Sequence, residues 1–396
     1  MTATPTGTVG TVGTVARLAG VDLARGLAVF GMFAAHVGPD PDDGGAGVLF
    51  VLAQGRSSAL FATLAGLSLA LMTGRQRPLT GRASTQAGLR IAIRAAILLA
   101  LGAALTLMDT GVKVILAYYG VYFLLALPLL RLSARALAAV SVTIAAVGPG
   151  LSYLLEAYLG LTGLDEAWAD SDPLARLTDE GLAQLLISGN YPALTWMAYV
   201  TAGMALGRMD LTGLATRLRL AALGAGAVVL GYGGSALAQH LAGADPLTTR
   251  AWIDSPADSG PFPPDSPARL LVAAPHSDTS FEVVGNLGFV LLVLVAAVTA
   301  ARATPRLVSP VVAVGAMSLT AYVAHLLVID LADISTGRGA AAALLAFVVA
   351  MSAAAMLWRL WFRRGPLEYL MHQATALVPL ESDRDRTRPA TKPPNP

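Results

Sequence analysis

The chain has 396 residues, 55% of them hydrophobic and only 13% charged, with a formal net charge of +2. Such a balance excludes a soluble multidomain protein and a nucleic-acid binder, because neither a solvated surface nor a basic footprint can be built from it. The chain has no cysteine, which excludes disulfides, a thiolate nucleophile and a Cys-ligated metal.

Residues 1–15 are uncharged Thr, Gly, Val and Pro with a Gly-Thr-Val repeat. They lack the basic region of a signal peptide, so they read as a disordered tail ahead of an uncleaved signal-anchor helix. Apolar runs of bilayer-spanning length then recur through residues 16–375. They predict an all-α polytopic membrane bundle with spans near 21–38, 57–73, 89–108, 113–131, 134–155, 192–208, 216–239, 283–301, 307–330 and 339–362. The run 46–53 is too short to span and is expected at the interface. Two long loops, 156–191 and 241–282, join spans; the first has a helical pattern around Leu174 to Ile187. The second is rich in Pro, Asp and Ser and closes on Pro275-His-Ser-Asp-Thr279. Residues 376–396 read as a disordered tail.

Arg75, Arg77, Arg82, Arg131, Arg208, Arg302, Arg306, Arg363 and Arg364 collect at one side of these spans, and most acidic residues in the loops at the other. The positive-inside rule then puts both termini in the cytoplasm. Near absence of lysine beside abundant Arg, Ala, Gly and Pro suggests a GC-rich bacterial genome and hence a bacterial plasma membrane.

The first span carries Asp22, Arg25 and His36. Arg25 and His36 are eleven residues apart, about three turns plus 20°, so they share one face roughly 16 Å apart. A polar stripe inside a membrane helix is costly and usually lines a protein interior or wet cavity. At the His36 level the topology also gathers Arg56, Ser57 and Ser58 at a helix start, Tyr118, Tyr119, Tyr191, Trp196, His276, Asp278 and His325. Helix N-termini suit anions and developing oxyanions. Each residue also has a plainer reading: Arg56 can snorkel to headgroups, the aromatics can form an interfacial belt, and His325 can bond a neighbouring helix. Arg90 and Arg94, one turn apart at the opposite level, are suited to phosphates. No His or carboxylate spacing favours a metal site, and no Gly-x-Ser-x-Gly elbow favours a serine hydrolase.

The stretch Arg17-Leu-Ala-Gly-Val-Asp-Leu-Ala-Arg-Gly-Leu-Ala to His36 resembles the first-helix signature of transmembrane acyltransferases. These include acyltransferase-3 proteins and heparan-α-glucosaminide N-acetyltransferase, with the YeiB-like branch most similar. Gly55-Arg-Ser-Ser-Ala-Leu-Phe-Ala-Thr-Leu-Ala-Gly66, Ile115-Leu-Ala-Tyr-Tyr-Gly-Val, Gly315-Ala-Met-Ser-Leu-Thr-Ala-Tyr and Gly365-Pro-Leu-Glu-Tyr follow in the family's order.

The resemblance implies a bundle of ten or eleven helices. It also implies transfer of an acyl group, acetyl foremost in that family, from cytoplasmic acyl-CoA to a hydroxyl or amine outside. Acetyl-CoA would be a donor substrate, with no tightly bound cofactor. The acceptor would be a glycan or glycolipid, and the bilayer and a second copy of the chain are the other partners it admits. Residues 38–55 hold no histidine, so His36 falls where the acyltransferase-3 histidine does. His36, Arg56, His276 and Asp278 are the catalytic candidates. Asp22, Arg25, Ser57, Ser58, Arg90, Arg94, Tyr118, Tyr119 and His325 are the donor-binding candidates. The rival reading is a proton-coupled transporter or flippase using His36, His325 and Asp330 as a relay.

Overall fold

A computed structural model describes residues 9–39, 52–108, 111–164, 181–244, 266–332 and 341–379, with isolated positions 47, 168, 171, 172, 174, 175 and 334. Among the described residues the regular structure is helical and there is no strand. Local chemistry sets several helix limits. Helix α1 runs Val9–Val37, and α2 (Arg56–Met72) starts at Gly55, whose φ of 67° is left-handed. Helix α3 is Gly81–Thr106, and α4 is Leu116–Ala126 with a 3-10 turn, Leu127–Leu129, appended. Ser133 caps α5 (Ala134–Thr162) by accepting from Ala136 N, and Gly163 ends it at φ 67°.

Helix α6 is Ala193–Gly207, followed by α7 (Leu214–Val228), a π turn (Val229–Gly233) and α8 (Gly234–Leu241). Thr279 caps α9 (Ser280–Ala303), its hydroxyl accepting from Glu282 N at 3.1 Å. Helices α10 (Ser309–Gly315) and α11 (Ser318–Leu331) are bent by 84° at the break between them. Helices α12 (Ala341–Trp361) and α13 (Pro366–Ala376) complete the described chain.

All ten expected spans are helical, but the expected count of ten or eleven crossings is not what the lengths support. Among the described residues six segments are long and apolar enough: Ala19–Val37, α3, α5, Leu214–Leu241, α9 and α12; α10 and α11 make a seventh if taken as one bent span. Helices α2 and α6, with 17 and 15 residues, reach only about 25 Å and 22 Å against a hydrocarbon core of about 30 Å. A helix covered by protein is as hydrophobic as one in lipid, so apolar runs do not by themselves fix the number of crossings.

Burial separates the two kinds. Helices α2, α4 and α6 bury 11 of 17, 9 of 11 and 13 of 15 residues, whereas only 11% of α12's span is covered by protein. Helices α2, α4 and α6 lie at the centre with the described part of α1, and α12 and Leu214–Leu241 are the least covered by protein.

Close helix approach depends on glycine. A Cβ on Gly203 would lie 1.8 Å from the Thr63 carbonyl oxygen, and one on Gly66 would lie 2.0 Å from that of Val200, so α2 and α6 touch backbone to backbone. Gly26 and Gly315 do the same for α1 against α10, meeting the Val311 and Asp22 carbonyls.

Helix α1 begins at Val9, so residues 9–15 of the expected tail are helical. At the other end, Val378 accepts from Arg90 Nε at 2.8 Å, which places 376–379 against the bundle. In the loop expected to be helical around 174–187, the described residues 182–188 are helical, Gln184–Ser188 as a π turn, and residues 176–180 lie outside the described residues. Residues 1–8, 40–46, 245–265 and 380–396, with most of the expected interfacial run 46–53, lie outside the described residues.

Candidate functional site

The α1 stripe is real in three dimensions. Arg25 Nη1 donates to Asp22 Oδ1 at 2.9 Å and Nη2 to Ser68 Oγ at 2.5 Å, with Ser68 passing its own proton to the Leu64 carbonyl at 2.6 Å. Asp22 neutralises Arg25 inside the bundle, and Ser68 on α2 fixes the direction of the guanidinium.

Three turns along α1, His36 Nδ1 lies 3.0 Å from His325 Nε2 of α11, and the rings stack at 5.3 Å and 7°. One shared proton is required, since two N–H groups would clash and two lone pairs would repel. His325 Nδ1 is buried with no hydrogen-bond partner among the described residues. Protonating that nitrogen makes His325 Nε2 the acceptor and His36 Nδ1 the donor, leaving a lone pair on His36 Nε2. Phe33 and Tyr322 hold the His325 ring at 4.9 and 5.1 Å.

Beside the Arg25 end of the stripe lies a cavity of about 360 Å³. Arg25, Arg94, Arg364, Glu368 and His372 supply its polar side; Phe61, Leu64, Leu98, Leu116, Tyr119 and Phe123 supply its apolar side. Two groups that line it are unsatisfied. Arg94 Nε and the Tyr119 hydroxyl are buried with no hydrogen-bond partner among the described residues. Such orphans are uncommon in folded proteins and mark a place for a ligand or water. The break between α10 and α11 also faces the cavity, and Glu368 of α13 caps it, accepting from Leu319 N at 2.8 Å and Thr320 Oγ1 at 2.6 Å.

A second polar cluster forms where residues 275–282 meet the start of α2. Glu282 accepts from His276 N (2.9 Å), Asp278 N (2.8 Å), Ser277 Oγ (3.2 Å) and Asn286 Nδ2 (3.2 Å). Those bonds hold His276 and Asp278 at φ 60° and 52°, a strained conformation for residues with a Cβ. A Cβ on Gly55 would press on Glu282 and Pro275, so α2 starts directly against this turn. Arg56 Nε donates to the Tyr232 hydroxyl at 2.9 Å, and Tyr232 donates to Asn286 Oδ1 at 2.6 Å. Arg56 is thus tied to the Glu282 network.

His276 and Asp278 do not bond one another. His276 Nδ1 donates to the Asn190 carbonyl at 3.3 Å and its ring lies parallel to Trp196, whereas Asp278 accepts from Trp196 Nε1 at 2.6 Å. Burial pushes His276 below the ordinary imidazole value, partly offset by the Asn190 carbonyl. Burial, then the neighbouring Glu282 carboxylate, holds Asp278 well above the ordinary carboxylate range.

The structure therefore divides the sequence candidates. Arg25, Arg94 and Tyr119 line the cavity; His36 and His325 form the pair beyond it; Arg56, His276 and Asp278 share the second cluster. Arg90 is not beside Arg94 in the cavity lining but is bonded to the C-terminal segment. Ser57 abuts α1 at Gly31, Ser58 is buried in α2, and Tyr118 packs edge-on against Tyr191; none of the three lines the cavity. Sequence reasoning passed over Ser68, Tyr232, Glu282, Asn286, Arg364, Glu368 and His372. Glu282 and Asn286 were findable as polar residues one turn apart at the start of an apolar span.

The model of the heparan-alpha-glucosaminide N-acetyltransferase catalytic domain matches residues 17–241, and the model described as "Protein of unknown function (DUF418)" matches residues 273–378. No curated protein matches the chain. The cavity draws Arg25 through Phe123 from the first matched region and Gly315 through His372 from the second. Because the first match covers more than half of the sequence, the chain belongs to the heparan-alpha-glucosaminide N-acetyltransferase family of membrane acetyltransferases, in its YeiB-like branch.

Proposed function

We propose that this protein transfers an acyl group, acetyl foremost, from acyl-CoA to a hydroxyl or amine of a sugar or glycolipid across a bacterial plasma membrane. The observation that carries the reading is the cavity, with its arginine side, its apolar side and its two unsatisfied donors. Its volume is at the low end for small-molecule pockets. That suits the thin pantetheine arm of CoA, with the bulkier nucleotide left at the mouth. Arg94 and Arg364 supply guanidinium donors suited to phosphate. Glu368 is already committed to the α11 cap and adds the repulsion that keeps the mouth selective for one binding pose.

The positive-inside rule supports a cytoplasmic mouth at the arginine level, with both termini on that side and His36 toward the far face. The thioester would then lie deep in the bundle, near the histidine pair. His36 Nε2 takes the acceptor's proton as its oxygen or nitrogen attacks, and His325 keeps His36 in the basic tautomer. The Arg56 end of α2 supplies a fixed positive field on the acceptor side.

Purified protein in nanodiscs, given acetyl-CoA and amino-sugar or hydroxyl acceptors, should release free CoA thiol in proportion to acetylated acceptor. His36→Ala should stop both while leaving the melting temperature near that of the wild type. Full activity in His36→Ala, or movement of solute across the membrane with acetyl-CoA left intact, overturns the reading.

A further inference from the structure

We infer that the Tyr119 hydroxyl is a catalytic hydrogen-bond donor to the carbonyl of the donor thioester; the inference rests on the acyltransferase reading above. Tyr119 is buried on α4, its ring stacked on Phe61 at 5.6 Å and 8° and braced by Tyr122 at 5.6 Å. The ring is held on two sides, so the hydroxyl is aimed rather than free to search.

The surrounding tyrosines show what is unusual about it. Tyr122 donates to the Tyr191 carbonyl at 2.5 Å, Tyr322 accepts from Ile115 N at 3.3 Å, and Tyr199 accepts from Asn286 Nδ2 at 3.2 Å. Tyr119 alone of these four lines the cavity, and its hydroxyl has no partner among the described residues. A buried hydroxyl left unpaired is destabilising unless something else completes it.

Its position says what that partner is. The neighbourhood of Tyr119 is tied to two further tyrosines: Ile115 N at the start of α4 donates to the Tyr322 hydroxyl, and Tyr122, packed against Tyr119, donates to the Tyr191 carbonyl. Tyr322 stands edge-on to His325 at 5.1 Å, and Tyr191 stands edge-on to His276 at 5.1 Å. Tyr119 thus links the cavity wall, through these aromatic neighbours, to both histidine groups, and on the acyltransferase reading the acyl carbon is exposed to attack at that end. The polar groups at the opposite side of the cavity are cations suited to phosphate. Tyr119 is a neutral donor suited to a carbonyl oxygen, and its bond strengthens as charge develops there.

In the step so assisted, the acceptor oxygen or nitrogen bonds to the thioester carbon. The C=O π pair moves onto oxygen against the Tyr119 O–H, and the acceptor proton passes to His36. Collapse re-forms C=O and breaks C–S, and the thiolate leaves with the proton returned by His36. No oxidant or further reactant is needed.

The test is Tyr119→Phe, which keeps the ring stack and removes one oxygen. We expect kcat to fall about 10²-fold or more, with the KM for acetyl-CoA and the melting temperature little changed. Isotope-edited infrared spectra of bound acetyl-CoA should show the thioester C=O stretch at higher wavenumber in the variant than in the wild type. An unchanged kcat with an unchanged stretch overturns the assignment. A raised KM with unchanged kcat also overturns it, by making Tyr119 a ground-state contact only. If wild-type protein consumes no acetyl-CoA with any acceptor, the acyltransferase reading itself fails and takes this assignment with it.

Discussion

His36 Nδ1 and His325 Nε2 meet at 3.0 Å across nearly parallel rings, joining α1 to α11 although 289 residues separate them in sequence. The pair has the logic of a base and its orienting partner, with the second imidazole standing where a carboxylate often does. His325→Phe preserves the packing against Phe33 and Tyr322 but removes the acceptor that sets the His36 tautomer. Transfer should fall about 10²-fold or more, with a smaller loss in His325→Asn, whose side-chain oxygen can still accept. Steady-state kinetics of the two variants side by side distinguish this from a packing role, in which Phe would be the milder change.

On the proposed function, Arg94 contributes to donor binding. Its Nε is unpaired and it lines the cavity, so Arg94→Gln removes a charge-assisted contact worth about 1.5–3 kcal/mol. The KM or Kd for acetyl-CoA should rise about 10- to 100-fold, and the wild-type affinity should weaken with added salt. Arg90→Gln should change affinity much less, because Arg90 is bonded to the Val378 carbonyl instead. Isothermal titration with CoA on both variants checks the order.

The contact of α2 with α6 sets the fold's tolerance. Gly203→Leu forces a side chain into the Thr63 carbonyl, which backbone packed on both sides cannot yield. We expect loss of monodisperse protein on size-exclusion chromatography. Gly226→Ala, on a helix face with open space around it, should behave as wild type.

His276 makes stability depend on pH in a definite direction. Burial lowers its proton affinity below the ordinary 6.5, so the unfolded chain binds the proton more tightly. Its contribution is therefore present above about pH 6.5 and is lost as pH falls through the lowered folded value. The melting-temperature advantage of wild type over His276→Asn should shrink between pH 7 and pH 5. Asp278 has the opposite sign: burial raises its proton affinity above that of the ordinary carboxylate at 3.8. Its contribution fades as pH rises above that value, so Asp278→Asn should gain on wild type at higher pH. Thermal melts of the three proteins across the range read both slopes.

Much was legible before any coordinates. Hydrophobic runs, the scarcity of charge and the Asp22, Arg25 and His36 stripe determine a membrane helix bundle with an internal polar face, because the 3.6-residue period and the cost of buried charge act within one segment. Which apolar helices cross the membrane was not legible. The centre and the lipid are equally apolar, and packing shows which helices are mostly covered by protein, α2, α4 and α6 among them. Long-range pairing was decided by tertiary structure alone. His325 could have bonded any neighbouring helix, and becomes the partner of His36 because the Gly26 and Gly315 contact brings the α10–α11 pair against α1. Arg90 and Arg94 look alike one turn apart, yet one faces the cavity and the other the C-terminal segment, a choice made by the neighbours that surround α3. The residues of α1 determine that a polar stripe exists; the helices packed around it decide which of its ends binds, and which can take a proton.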